Sequence, residues 1–249
     1  NASGATTGIG TTYSGIVTVT GNANAANEIT GSGNTYLLNA SNGGSSTGVA
    51  WTSFGNLADA GGGTFRITSG SVSGALDGGT GSTLSYNGAA GPVTVNLHSN
   101  SATSVNGGAA AGFTGIDDLV GSASATDLLV GSNGGSTFTF TGANSGNVDG
   151  VTFASFEGIN AGSGADNFVG SGGSLTGSLS DGGGNTTLSG GGGNTPAAAA
   201  PKKDSVAAKQ PGNAAGGQAR QRQGLAAPMP LRRPPAGASL AACHRDSRW

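Results

Sequence analysis

Two stretches decide how this chain is read: "TYLLNASNGGSSTGVAWTSFGNLADAGGGTFRITSGSVSGALDGGTGSTLS" at residues 35–85, and "TFTFTGANSGNVDGVTFASFEGINAGSGADNFVGSGGSLTGSLSDGGGNTTLS" at residues 137–189. At an offset of 102 residues, Tyr36 falls on Phe138, Leu38 on Phe140, Gly48 on Gly150, Trp51 on Phe153, Phe54 on Phe156 and Leu57 on Ile159. One inserted residue later, Phe65 falls on Phe168, Val72 on Leu175, Gly74 on Gly177 and Leu76 on Leu179. Apolar positions keep their character while polar ones drift, as they do when two copies fill the same inward-facing slots.

Within and around the copies, apolar and small polar residues alternate: Val17 and Val19, Phe65 and Ile67, Leu84 and Tyr86, then Val93, Val95 and Leu97, and Leu128 and Val130. Period two marks half-buried strands, and β-branched threonines fill many of the positions between. Gly, Asn, Ser and Asp separate the runs every ten residues or so and supply turns. Fifty-one glycines and 9% charged residues exclude an ordinary helical domain, since each glycine inside a helix costs about 1 kcal/mol relative to alanine.

The fold class expected is therefore all-β. A repeat this long holds several strands and turns, so each copy reads as a few coils of a right-handed parallel β-helix, a solenoid in which every coil pairs with those above and below. Small residues suit its corners, asparagines in equivalent turns can stack into ladders, and 5% aromatic residues suffice for a slim core.

Charge divides the chain near Asn194. Residues 1–201 carry Arg66 as their one basic residue against ten acidic ones, while residues 202–249 carry nine Lys or Arg against Asp204 and Asp246. The net charge of −2 thus sums about −9 and +7. Seven of the eight prolines lie at or beyond Pro196. Residues 1–194 are read as the glycine-rich repeat domain and 195–249 as a disordered Pro/Ala/Arg-rich tail. Such a tail is solvated, contacts anionic surfaces or nucleic acid through charge alone, or is out-of-frame translation. Nothing in the repeat region points to nucleic acid. Cys243, the single cysteine, allows no internal disulfide. No apolar run reaches eighteen residues, so no membrane span is expected. The initial Asn in place of Met suggests a fragment whose export signal lies elsewhere.

The pattern "FASFEGINAGSGADNFVGSGGSLTGSLSDGGGNTTLS" resembles the strand repeats of very large secreted bacterial proteins, both filamentous-haemagglutinin-like adhesins and haemolysin-type glycine-rich repeats. The likeness covers roughly residues 10–192. It implies export to the medium or to the bacterial cell surface, association with the outer membrane, and adhesion to a host or neighbouring-cell ligand or carbohydrate.

Haemolysin-type repeats read GGxGxDxUx and enclose Ca²⁺ between coils. "AGSGADNFV" supplies Gly162, Gly164 and Asp166, with Ala161 in place of the first glycine. The following "GSGGSLTGS" has no carboxylate, "GGTGSTLSY" and "AGGGTFRIT" lack the Asp, and "GSASATDLL" keeps Asp127 without the glycines. The calcium repeat is thus incomplete, and the competing reading has Asp166 bonding a turn.

Catalytic constellations are sparse, and the chain is expected not to be an enzyme. Gly44, Ser46 and Gly48 match GxSxG, but a nucleophile elbow needs a strand-to-helix turn with a histidine and an acid beside it. His98 is alone in the repeat region and is expected to face solvent; Asp117 and Asp118 point to opposite faces if in a strand; Arg66 faces outward between Phe65 and Ile67. No cofactor is expected apart from the calcium alternative. The leading expectation is an adhesin or structural spacer that binds through its lateral surface and is prone to lateral self-association. The alternatives are a calcium-dependent repeat module and a polysaccharide-active β-helix enzyme.

Overall fold

A computed structural model describes residues 2–6, 9–22 and 26–191, so the expected tail, residues 195–249 with Cys243, lies outside the described residues. Among the described residues the chain is all-β: 21 strands and one 3-10 turn at Asn106–Gly108. The glycines and the small polar residues account for this. Asn42, Thr47, Ser53, Asn144, Asp149 and Ser155 join Gly48 and Gly150 at positive φ, so reversals follow one another too closely for a helix to form.

The strands make a 14-stranded sheet, a five-stranded sheet and an N-terminal two-stranded hairpin of Ala2–Thr6 with Ile9–Ile16. In the large sheet, parallel pairing aligns Tyr36 with Phe65, Phe65 with Leu84, Leu84 with Leu119, and Leu119 with Phe153. Phe153 leads through Gly146 to Phe140, and in the adjacent row Phe138 lies beside Phe168, and Phe168 beside Leu188. In the five-stranded sheet Val95, Leu129, Ile159 and Leu179 follow one another in parallel register.

These rows are the core. Tyr36, Phe65, Leu84, Leu119, Phe138 and Ile159 are buried, as are most residues that the alternation marked as inward, but Val17, Val19 and Leu97 are not, and between Leu128 and Val130 it is Leu129 that faces the core. At about 1.5–3 kcal/mol for each large apolar side chain removed from water, this narrow interior is the main stabilising term. The two copies pack alike. Tyr36 stacks on Phe65 with ring centroids 5.1 Å apart, and Phe138 stacks on Phe168 at 5.4 Å. The edge contacts differ: Trp51 meets Tyr36 edge-on at 6.3 Å, whereas its counterpart Phe153 meets Phe140, which stands in the place of Leu38, edge-on at 6.2 Å.

Pairing is not parallel throughout, and here the fold departs from the expectation. Thr35–Ala40, Gly43–Ser46 and Val49–Thr52 form an antiparallel meander, repeated by Thr137–Gly142, Ser145–Val148 and Val151–Ala154. The cause is local. Asn42 and Asn144 (φ 49° and 50°) tighten the first reversal, and Thr47–Gly48 and Asp149–Gly150 the second. A two-residue turn with both residues at positive φ returns a strand beside itself. The middle strand carries glycine because the space is already filled: a Cβ on Gly44 would strike Leu37 O, and one on Gly146 would strike Thr139 O.

The pairing also shows a longer repeat than the sequence reading found. Val19 lies beside Trp51 as Leu119 lies beside Phe153, and Ile29 beside Leu57 as Leu129 beside Ile159. The stretches "YSGIVTVTG" (13–21) and "FTGIDDLVG" (113–121) are therefore equivalent at an offset of 100. Gly15 and Gly115 both have positive φ, and a Cβ on Gly21 or Gly121 would strike the carbonyl of Ser53 or Ser155, themselves equivalent residues.

Candidate functional site

The chemistry-bearing residues gather in the turns, where glycine-rich loops of successive layers lie against one another. Residues 131–136, 161–166 and 180–185 form one such stack. A Cβ on Gly164 would strike Gly135, one on Gly162 would meet Ser132 O at 2.6 Å, and Gly182 and Gly184 lie equally close to Gly162 O and Gly164 O. Ser163 N–H donates to Asn133 Oδ1 at 3.2 Å, so adjacent layers also exchange polar bonds. The GxG spacing of "AGSGADN" is thus required by backbone-to-backbone packing, whether or not an ion binds.

Asp166, at the end of that loop, is 2% exposed. Its Oδ1 accepts Ser136 N–H at 2.8 Å, while Oδ2 is buried without a partner. Burial, with Asp181 and Asp149 adding repulsion, pushes its carboxyl up to about 6 against the one opposing backbone bond. A calcium ion takes six to eight oxygens, and of Gly162, Gly164 and Asp166 only the aspartate offers a side-chain oxygen. Among the described residues no group of three or more His, Cys, Asp or Glu is placed to hold a metal ion.

Asp59 does the same structural work in the first copy from the other end of its loop. Its carboxylate accepts Gly33 N–H at 2.8 Å, Asn34 N–H at 3.1 Å, Gly61 N–H at 3.0 Å and the Tyr36 hydroxyl at 3.0 Å. Burial alone would raise it, but these donors outweigh burial and hold it below the usual carboxylate range. The Tyr36 hydroxyl is pushed up to about 12, chiefly by burial and further by Asp59.

A third buried carboxylate, Asp127, is fully enclosed and accepts Val93 N–H at 2.9 Å, Ser122 N–H, and the Ser122 hydroxyl at 2.9 Å. Its own N–H donates to Glu157 at 3.1 Å, and Glu157 also accepts Asn144 Nδ2 at 3.1 Å. Asn144 Oδ1 in turn accepts Thr176 N–H at 2.9 Å, just as Asn42 Oδ1 accepts Ser73 N–H at 2.7 Å. These asparagines tie one layer's backbone to the next, in the role that side-chain ladders were expected to fill.

The catalytic candidates lie apart. Ser46 ends a strand whose turn leads into another strand, and its Oγ is buried without a partner. His98 is exposed in a turn after Thr94–Asn96. Asp117 is exposed and accepts Gly81 N–H, and Asp118 accepts the Thr152 hydroxyl. Arg66 is exposed and donates to Asn87 O at 2.8 Å. A cleft of about 370 Å³ is bordered by Leu97, Phe113, Ile116, Val148 and Val151. Its carboxylate, Asp149, accepts Thr137 N–H at 2.9 Å, so the cleft holds no pair of acids.

Sequence reasoning singled out Asp166 by motif, noted Asp127 only as an aspartate without the motif's glycines, and passed over Asp59 and Glu157. Their common signal was an acidic residue beside a glycine or serine turn, which becomes distinctive only when the turns are stacked. No helix among the described residues is long and apolar enough to cross a membrane. No family model, curated protein or solved structure matches the chain.

Proposed function

We propose that the chain is a structural and adhesive segment of a secreted or surface-displayed bacterial repeat protein, in which the stacked layers close into a right-handed solenoid. The observation that carries this reading is the recurrence of one packing unit. Stacked aromatics, a meander and a carboxylate-bonded turn return in the second copy, as a laterally repetitive scaffold requires. Asp59, Asp127, Glu157 and Asp166 each accept at least one backbone N–H, which suits a structural role. Binding then falls to the exposed Thr, Ser and Asn side chains of the strands, which suit a polar, weakly charged partner such as a cell-surface carbohydrate.

The test separates this reading from its two competitors. The full chain is followed by circular dichroism with calcium and with chelator, then applied to a panel of immobilised host glycans and incubated with acidic polysaccharides. The expected result is a β spectrum indifferent to calcium, and glycan capture without depolymerisation. Folding that depends on calcium would replace this reading with a calcium-dependent module, and released oligosaccharide would replace it with an enzyme.

A further inference from the structure

The strand junction in the middle of the chain has its two halves repeated, separately, at the two ends of the large sheet. In the middle, Leu76–Ser85 pairs in parallel with Phe113–Val120, with Thr83 beside Asp118, Leu84 beside Leu119 and Ser85 beside Val120. Thr187–Gly191 is the counterpart of the first partner, because Leu188 lies beside Phe168 as Leu84 lies beside Phe65. Thr18–Thr20 is the counterpart of the second, because Val19 lies beside Trp51 as Leu119 lies beside Phe153. Among the described residues these two strands end the sheet.

We propose that copies of this chain assemble head to tail, the free edge of Thr187–Gly191 in one copy pairing in parallel with the free edge of Thr18–Thr20 in the next. The register follows from the internal junction: Thr187 beside Thr18, Leu188 beside Val19 and Ser189 beside Thr20. This rests on strand pairing and does not depend on the adhesive reading.

Side-chain burial supports the same contact. Leu84 and Leu119 are 0% and 1% exposed, whereas Leu188 and Val19 are only half-buried and Val17 is 58% exposed. Backbone directions agree as well. Gly21 N–H donates to Thr52 O at 2.8 Å and Ala50 N–H to Val17 O at 2.9 Å, so the odd-numbered residues of this strand bond inward. The N–H groups of Thr18 and Thr20 therefore face away from the sheet. At the other end Thr187 N–H donates inward to Asp166 O at 2.9 Å, which leaves Leu188 N–H facing outward. The N-terminal hairpin pairs no further along its second strand than Ile16. Unpaired edges of this kind template the addition of a strand. Because the two edges differ, the contact is heterologous and propagates without closing on a dimer.

Sedimentation of the full chain over a range of concentrations tests this. The expected mass rises with concentration beyond that of a dimer. Thr20→Pro removes an outward N–H without touching the inward bonds of Val19 and Gly21, and is expected to weaken association roughly tenfold or more while the β spectrum persists. In a Cys243→Ser background, Thr20→Cys with Ser189→Cys is expected to give a reducible ladder of multimers on oxidation, while either cysteine alone stops at dimers. A chain that stays monomeric, or one whose association ignores Thr20→Pro and gives no ladder, overturns the proposal. Association that appears only after residues 195–249 are deleted overturns it too, by assigning the edge to the chain's own tail.

Discussion

The Tyr36 hydroxyl donates to Asp59 Oδ2 at 3.0 Å, and it is the donor that the second copy lacks, because Phe138 fills the same slot without a hydroxyl. Asp59 receives four bonds, whereas Asp166, which bonds the equivalent turn, receives one and keeps a buried oxygen unpartnered. One substitution between copies thus accompanies opposite electrostatic states of two structural aspartates. Tyr36→Phe is expected to destabilise the fold by about 1.5–3 kcal/mol, the range for a hydrogen bond to a charged group. Urea denaturation measures it; an unchanged midpoint would remove Tyr36 from the account.

The two aspartates also predict opposite responses to pH. Asp59 titrates below its unfolded value, so its contribution is present above about pH 4 and is lost as pH falls through the folded value. Asp166, pushed up to about 6, favours the folded state when protonated, so its effect turns unfavourable as pH rises from about 4 to 6. Asp166→Asn keeps an acceptor for Ser136 and removes the buried charge. It is expected to raise stability at pH 7 on the order of 1 kcal/mol after allowance for solvent screening, with no gain at pH 4. Thermal melts at the two pH values decide; a loss at pH 7 would show that the charge is needed.

Loop stacking makes neighbouring glycines unequal. A Cβ on Gly164 would strike the Gly135 backbone, whereas one on Gly134 meets the Ser132 hydroxyl at an ordinary 3.6 Å. Gly164→Ala is expected to cost about 2 kcal/mol or more, and Gly134→Ala to be neutral or slightly stabilising through the unfolded state. Equal denaturation midpoints for the two variants would refute the stacked-layer packing.

Equivalent apolar positions in the interior and at the end of the sheet should differ in cost. Leu119→Ala is expected to lose about 2–5 kcal/mol, as for a fully enclosed leucine, and the half-buried Val19→Ala about 1 kcal/mol or less in dilute solution. Measuring both at low concentration, where chains are apart, checks this; a large loss at Val19 would mean that its slot is already filled.

Much of this was written locally. Alternation at period two marked Tyr36, Leu38, Phe65, Leu84, Val95 and Phe140 as inward, and all are buried, but it also marked Leu128 and Val130, where Leu129 between them fills the core. The offset of Tyr36 to Phe138 and Trp51 to Phe153 marked equivalent slots, because the inward residue type is set by the space it fills. The equivalence of residues 13–21 with 113–121 escaped notice because Val17 and Thr18 stand where Asp117 and Asp118 do. Outward positions are free to drift, and only the pairing with Trp51 and Phe153 aligns the two.

The sequence by itself determined strands, turns and the face that most side chains take, since these depend on residues a few positions apart and on the backbone freedom of glycine. Tertiary structure alone decided which turn lies on which, and so which carboxylate finds four donors and which finds one. It also decided where a two-residue turn folds a strand back antiparallel and which edges are left open. Those outcomes depend on groups 20 to 40 residues distant, whose approach is fixed by packing of the whole row and leaves no local mark on the chain.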